Sequence, residues 1–180
     1  LARRDVGAIP RADGEAMGLH PRGQDGRALG SGGPDLPAAL GGRDATLAVL
    51  FVTPSLCTDP WTLRDDIITG VGAQHLIGCT TETVIGNGRE LEGQSGMSLW
   101  CGVLPDVTAT VFHLSRSDDT DPIIGWPDNG DLAGSPLIMV ADPFTFPADV
   151  MLAEYDRGGL PPIVGGLASG GTRPGEHVLF

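Results

Sequence analysis

The chain has 180 residues, a length that fits one domain with its own hydrophobic core. Its formal net charge of -12 argues against nucleic acid and anionic membrane surfaces as partners, because both are bound through cationic side chains. No apolar run reaches the roughly 18 residues of a membrane span. The three cysteines follow neither a disulfide nor a zinc-site spacing, so we expect reduced thiols in a cytoplasmic protein.

The first 43 residues differ in composition from the rest of the chain. They contain six Arg and five acidic residues, no aromatic residue, and fourteen Gly or Pro. Such a segment buries too little apolar surface to offset its loss of conformational entropy. The composition therefore predicts a poorly ordered leader over residues 1–43 and a folded domain over residues 44–180.

The folded part begins with a predicted strand, helix and strand. The apolar run at 47–52 predicts a strand buried on both faces. An N-cap signal at 58–60 and apolar residues at helical spacing predict a helix that ends near Gly70 or Gly72. A short strand at 75–79 completes a βαβ unit, which favours a parallel pair of strands.

The middle of the chain predicts turns, a hairpin and a loop. Residues 86–88 have turn chemistry. Two further segments, 97–103 and 107–114, predict an antiparallel hairpin, since the second alternates between two faces. Residues 115–135 are polar and rich in aspartate and turn formers, which predicts a long loop. Their aspartates lack the spacing of a calcium-binding EF-hand.

A second strand–helix–strand pattern follows. It consists of an apolar strand at 137–141, a helix at about 148–157, and a short strand at 162–166 that leads into a glycine-rich loop. Residues 177–180 predict a last strand. The two units look alike in layout, which suggests a repeated plan. Together these elements predict an α/β fold with a mixed β-sheet, βαβ units and covering helices.

Ligands of sheets with parallel βαβ units bind beyond the carboxyl ends of the strands. Three segments qualify, 78–82, 142–144 and 165–171, and all combine a strand end with glycine or polar residues. The glycine-rich segment lacks the Lys-Ser/Thr ending of a P-loop and the spacing of a dinucleotide fingerprint, so we do not expect a nucleotide.

Three candidate site residues also have a purely structural interpretation. Cys79 could be a nucleophile, but His75, four residues earlier in the same strand, would not point at it, and a buried inert thiol is commoner. Ser169 is outside a nucleophile elbow and is typical of a turn. Arg89, between Glu82, Glu90 and Glu92, fits a solvated hairpin or an acidic pocket rim, and the hairpin is favoured.

Four segments, taken in order, resemble the N-terminal half of the FIST domain, the "F-box and intracellular signal transduction" family. They are the strand at 47–54, the Gly-Cys-Thr-x-Glu segment within 76–90, the Ala-Asp-Pro-Phe segment at 141–147, and the Gly-Gly-Leu-Ala-Ser segment within 162–170. The resemblance covers about residues 45–180. Family members usually open with a strand and a long amphipathic helix, which residues 1–43 do not resemble, and they continue beyond the position of Phe180.

The resemblance implies an intracellular sensory domain that binds a small ligand, such as an amino acid or a similar metabolite, and signals to a downstream protein or a C-terminal half. It implies no catalytic residues, and we expect no enzyme activity and no resident cofactor. The expected pocket lies at the strand ends, with glycine amides or Arg89 for a carboxylate and Glu82 or Asp142 for an ammonium group. Its predicted lining is Cys79, Thr80, Thr81, Glu82, Arg89, Asp142, Gly166, Ala168 and Ser169.

Three alternatives stay open at this point. A haem-binding gas sensor would use His75 or His113 as the axial ligand. A thiol-dependent hydrolase would use Cys79. A scaffold would offer the 115–135 loop to a partner protein.

Overall fold

The computed structural model describes residues 14–19, 40–86, 89–116, 123–127, 135–156 and 162–180. Within these residues, two helices, α1 and α2, and a 3-10 turn at Pro54–Leu56 accompany ten strands, β1 to β10. The helices span Pro60–Val71 and Ala148–Asp156. The strands, in chain order, are Gly14–Leu19, Leu47–Val52, Leu76–Thr80, Val84–Gly86, Arg89–Leu91, Met97–Gly102, Ser115–Arg116, Ile123–Ile124, Leu137–Ala141 and Ile163–Leu167.

The main sheet is mixed, as predicted. Its strand order is β1-β6-β2-β3, with β2 parallel to β3 and β6 antiparallel to both β1 and β2. The end of the chain continues this sheet beyond β3, because the Thr80 N–H donates to the Val178 carbonyl and the Phe180 N–H donates to the Gly78 carbonyl, each at 3.0 Å. The α/β fold class with a mixed sheet is thereby confirmed.

The core lies against β2 and β6. Ala48, Leu50 and Val52 alternate along β2 onto one face and are fully buried. The other face is only partly covered, since Phe51 is exposed, so the expectation of a strand buried equally on both faces is wrong. Leu99 and Cys101 of β6 complete the buried layer.

Helix α1 begins and ends where its sequence signals indicate. The Asp59 side chain caps it by accepting a hydrogen bond from the Thr62 N–H at 3.1 Å, with Pro60 in the first turn. Gly72 ends it in the left-handed conformation, with φ of 61°. Ile67 and Val71 are the buried residues of the helix.

The predicted hairpin of 97–103 with 107–114 is wrong. Residues 97–102 form β6, but 107–114 form no strand, and Val107 and Val111 are exposed. The reason is that β6 lies between β1 and β2, so both of its edges are already occupied. Short strand pairs form elsewhere, β4 with β5 around the predicted turn and β7 with β8 inside the predicted loop.

One strand comes from the segment predicted to be a poorly ordered leader. Residues 14–19 form β1 and pair with β6 along six residues. Leu40, also from this segment, belongs to the hydrophobic core. The rest of the leader, 1–13 and 20–39, lies outside the described residues. Within the described part of the chain, no helix is long and apolar enough to cross a membrane.

The two predicted βαβ units share one detailed register. We call β2-α1-β3, residues 47–80, the first unit, and β9-α2-β10, residues 137–167, the second unit. Leu50 pairs with Gly78 in the middle of the first parallel pair, and Met139 pairs with Gly165 in the middle of the second. A Cβ on either glycine would overlap the carbonyl oxygen of its partner residue. The repeated plan suggested by the sequence is therefore present in the structure.

The hydrogen bonds that close the two parallel pairs are also equivalent. After the strands, the Thr81 N–H donates to Val52 at 2.9 Å and the Ala168 N–H donates to Ala141 at 2.8 Å. Before them, the Ala48 and Leu137 N–H groups donate to the carbonyls of His75 and Pro162. This register aligns Thr53-Pro54 with Asp142-Pro143 and Thr81-Glu82 with Ala168-Ser169.

Candidate functional site

The carboxyl ends of β3, β9 and β10 meet in one polar cluster, which we call the strand-end cluster. It contains Thr80, Thr81, Glu82, Asp142, Ser169 and His177. The Ser169 and Gly170 N–H groups donate to the Thr80 carbonyl at 3.3 and 3.0 Å, and the Glu82 N–H donates to Ser169 Oγ at 3.2 Å. The two predicted segments 80–82 and 168–169 are thus brought together.

Thr80 is the residue that joins three chain segments. The Thr80 N–H donates to the Val178 carbonyl, and the Thr80 hydroxyl oxygen accepts a hydrogen bond from the Val178 N–H at 3.0 Å. The Thr80 side chain thus takes the place of its backbone carbonyl in the pairing with residue 178. The Thr80 carbonyl therefore remains available to the 169–170 loop. The loop approaches so closely that a Cβ on Gly170 would lie 2.6 Å from the Thr80 Cβ. Glycine is required here by packing, whatever else the loop does.

Asp142 follows β9 and is held in place by its own turn. Its Oδ1 accepts from the Phe144 N–H at 2.9 Å, and its Oδ2 accepts from the Thr145 hydroxyl at 2.8 Å. Burial acts to raise the pKa of Asp142, but these hydrogen bonds and the neighbouring His177 outweigh it and lower the pKa. Asp142 is therefore an ionised carboxylate fixed at the strand end.

His177 lies beside Asp142 and is the functional candidate that sequence reasoning missed. Its side chain is 0% exposed, its ring stacks on Phe144 with centroids 5.5 Å apart, and its Nδ1 lies 3.2 Å from Asp142 Oδ1. That separation is an ion-pair distance, although the ring N–H is not aimed closely enough at the oxygen to form a hydrogen bond.

The tautomer of His177 follows from its second nitrogen. The Gly171 N–H donates to Nε2 at 3.1 Å, so Nε2 carries the lone pair and the neutral ring holds its proton on Nδ1, facing Asp142. Because Nε2 is already an acceptor, it is not free to serve as a general base. Nothing near residue 177 in the sequence points to Asp142, which lies 35 positions earlier, and only the fold brings the two together.

Two buried polar atoms in the cluster have no hydrogen-bond partner. They are Thr81 Oγ1 and His177 Nδ1. The bridge between Cys79 and Leu179 is antiparallel, so its register places Thr81 opposite His177. Buried polar atoms are nearly always hydrogen-bonded. His177 Nδ1 has the Asp142 carboxylate 3.2 Å away, whereas Thr81 Oγ1 has no such neighbour among the described residues, so Thr81 Oγ1 marks a position that a small polar molecule would complete.

The other predicted site residues have different surroundings. Cys79 is buried in β3, and this burial raises the pKa of its thiol to about 11. Arg89 is exposed on β5, and no hydrogen bond or ion pair joins it to the described residues of the strand-end cluster. Gly166 is exposed on β10, and Ala168 is buried beside the cluster.

The two candidate haem ligands lie away from the cluster. His75 precedes β3 and is therefore at the opposite end of that strand from Thr80, while His113 is exposed in the segment after β6. No group of three or more His, Cys, Asp or Glu that could hold a metal ion occurs among the described residues.

Comparisons with known proteins agree with the architecture. The FIST N domain model matches residues 46–180. The uncharacterized protein Rv0628c of Mycobacterium tuberculosis (strain ATCC 25618 / H37Rv) is 30% identical over 146 residues, which cover 78% of this chain and 37% of that protein. The uncharacterized protein Mb0898c of Mycobacterium bovis is 25% identical over 183 residues, which cover 99% of this chain and 43% of that protein.

The chain thus spans less than half the length of these curated relatives. No solved structure matches it significantly. The family model covers three-quarters of the chain, in the order and at the strand ends described above. The chain belongs to the FIST N domain family, a family of signal-transduction sensor domains.

Proposed function

We propose that this domain senses a small ligand that binds at the strand-end cluster, and that the ligand is an amino acid or a similar metabolite with a carboxylate and an ammonium group. The observation that carries the proposal is the buried Thr81 hydroxyl, which has no hydrogen-bond partner among the described residues. A ligand or a water molecule at this point would satisfy the Thr81 hydroxyl.

We propose that hydroxyl groups of the protein bind the carboxylate of the ligand. The amides first expected to bind it are occupied, since those of Ala168, Ser169 and Gly170 donate to backbone carbonyls and that of Gly171 donates to His177. Ser169 Oγ accepts from the Glu82 N–H, so its own proton is free to donate. Thr81, the residue before Glu82, supplies a second hydroxyl, which is buried and has no hydrogen-bond partner among the described residues.

The ammonium group is assigned to Glu82. Both oxygens of Asp142 already accept hydrogen bonds, whereas the exposed Glu82 carboxylate has no partner among the described residues. Glu82 follows Thr81 directly, so the two charges of an amino acid would meet adjacent residues. A bound ligand would also bridge the first and second units, which gives it a route to change their relative position.

A thermal-shift screen of the chain against amino acids and small carboxylates tests this proposal. A ligand that binds only the folded state stabilises it by about 2.7 kcal/mol at a hundredfold excess over its dissociation constant. We expect one compound class to raise the melting temperature, and we expect Ser169→Ala and Glu82→Gln to abolish that rise. Glu90→Gln, an exposed glutamate on β5, is the matched control and should leave the rise intact.

Two results of this screen would contradict the proposal. A rise that persists in both Ser169→Ala and Glu82→Gln would move the site elsewhere. A cooperative melt with no rise for any compound would mean that the cluster is a polar joint between the two units and is satisfied by water.

A further inference from the structure

The shared register of the two units extends to their outer edges. In the first unit, the edge of β3 that faces away from β2 is paired with the end of the chain. The Thr80 N–H and the Gly78 carbonyl form this edge, and they bond to Val178 and Phe180 in an antiparallel arrangement. The edge therefore carries an extended, apolar segment.

The corresponding edge of the second unit is unpaired within the described part of the chain. Leu167 corresponds to Thr80 and Gly165 to Gly78. Because the Ala168 N–H points to β9, alternation along the strand directs the Leu167 N–H and the Gly165 carbonyl away from β9. No described residue bonds to either group.

The sequence of β10 does nothing to block this edge. The strand Ile-Val-Gly-Gly-Leu contains no charged residue, whereas edge strands that must stay unpaired usually carry charges or bulges. One face of the pair is also uncovered, since the register partners Ile138 and Val164 are 54% and 63% exposed. Leu167, on the opposite face, is 53% exposed. Parallel strands are normally covered on both faces.

We propose that the outer edge of β10 is the docking site for an extended, apolar segment that runs antiparallel to it. The segment belongs to the polypeptide that the longer FIST relatives carry outside the stretch they share with this chain. The shared stretch makes up only 37% and 43% of two such relatives, so they have ample additional chain. We expect this segment to pair with β10 in the way that residues 178–180 pair with β3. The net charge of -12 opposes the alternative of a second copy of this chain.

The test compares amide hydrogen exchange in two proteins. One is this chain alone, and the other is a chimera in which this chain replaces the matched 146 residues of the Mycobacterium tuberculosis relative. We expect the Leu167 amide to exchange at least tenfold more slowly in the chimera. The Ala168 amide, which is bonded to Ala141 in both proteins, is the internal reference and should not change.

A pair of substitutions gives an independent readout. Leu167→Pro removes the outward N–H, and Leu167→Ala keeps it. In this chain alone both variants should melt within about 2 °C of each other, whereas in the chimera Leu167→Pro should melt at least 4 °C lower. Should the chimera not fold, the relative's whole chain and its matched stretch alone are compared at the position aligned with Leu167.

Three results would overturn the proposal. Leu167 could exchange equally fast in both proteins, which would leave the edge unpaired. It could already be slow in this chain at every concentration, which would place the covering segment within the chain. It could slow only as concentration rises, with dimers seen by sedimentation, which would identify a second copy as the partner.

Discussion

The first and second units follow the same local plan but have different surroundings. Each pairs two parallel strands around a central glycine, and each is closed by an equivalent hydrogen bond after the strands. In the first unit, β6 pairs with one outer edge and the chain end with the other. In the second unit, neither outer edge has a ladder partner among the described residues. The local sequence of a βαβ unit therefore specifies its parallel pairing, whereas the pairing of its outer edges depends on neighbouring segments.

The difference is sharpest at equivalent residues. Thr80 is polar but fully buried, and its N–H, carbonyl and hydroxyl all have partners. Leu167 is apolar but more than half exposed. At these two equivalent positions, burial therefore follows the partners around each strand rather than the polarity of the residue.

The largest expected effect comes from filling the central glycines. Gly78→Ala would overlap the Leu50 carbonyl in a sheet that is paired on both sides, so relaxation is restricted. We expect it to lower the free energy of unfolding by about 3 kcal/mol, the upper part of the range for overpacked cores. Gly165→Ala meets the Met139 carbonyl in the same way, but β10 can shift outward, so we expect about half the loss.

Urea denaturation followed by circular dichroism measures both values, with Gly166→Ala as the control because its Cβ would meet nothing within 4 Å. Equal losses for Gly78→Ala and Gly165→Ala would mean that the second unit is as tightly held as the first, and the contrast between them would then be lost.

Thiol reactivity tests the same difference between the two units at another pair of equivalent positions, 79 and 166. Burial raises the pKa of Cys79 to about 11, well above that of an ordinary thiol, so its thiolate fraction at pH 8 should be roughly a hundredfold lower. A cysteine introduced by Gly166→Cys occupies the equivalent position in open space. Iodoacetamide at pH 8 should modify the introduced thiol about a hundredfold faster than Cys79, as followed by mass spectrometry.

Cys101 serves as the second reference in that experiment, because burial raises its pKa to about 11 as well. A Cys79 that reacts as fast as the introduced thiol, while Cys101 stays slow, would show that Cys79 is accessible and would return the thiol-dependent hydrolase to consideration.

Local sequence signals predicted most of the fold. Asp59-Pro60 and Gly72 bound α1 where capping chemistry requires, and both parallel pairs follow from strand–helix–strand patterns. The errors came from competition between strands. Residues 107–114 alternate well enough for a strand, but β1 occupies the edge of β6 that they would need. No local pattern reveals that a neighbour has already been paired.

The contact between two of the predicted segments could be predicted from the sequence, but the hydrogen-bond partners of their polar groups could not. The rule that ligands bind at strand ends predicted segments 80–82 and 168–169, which do meet. The rule could not show that the glycine amides would be consumed by Thr80 and His177. It also could not place His177 beside Asp142, because a contact across 35 residues depends on the whole second unit.

The acid sensitivity of the junction depends on Asp142, whose equivalent in the first unit is the neutral Thr53. The lowered pKa of Asp142 means that its ionised form stabilises the fold, fully above the ordinary aspartate pKa of about 3.9 and less as pH falls through the lower folded value. Asp142→Asn should therefore lower the melting temperature at pH 7 by about 3–5 °C.

The gap between parent and Asp142→Asn should narrow as the pH falls below about 3.9. Asp65→Asn, which breaks only an exposed ion pair with Arg64, is the control and should change little at any pH. A gap that stays constant from pH 7 to pH 3 would show that the charge of Asp142 does not stabilise the junction.

The smallest expected effect compares the starts of the two helices. Asp59 accepts hydrogen bonds from the N–H and the hydroxyl of Thr62, and the backbone hydrogen bond is the main cause of its lowered pKa. Asp149 of α2 lies in the first helical turn, where a negative charge interacts only with the helix dipole. Asp59→Ala should lower the melting temperature by about 2–3 °C and Asp149→Ala by about 1 °C. Calorimetry resolves both values. A larger loss for Asp149→Ala would mean that α2 depends on its first turn more than α1 does.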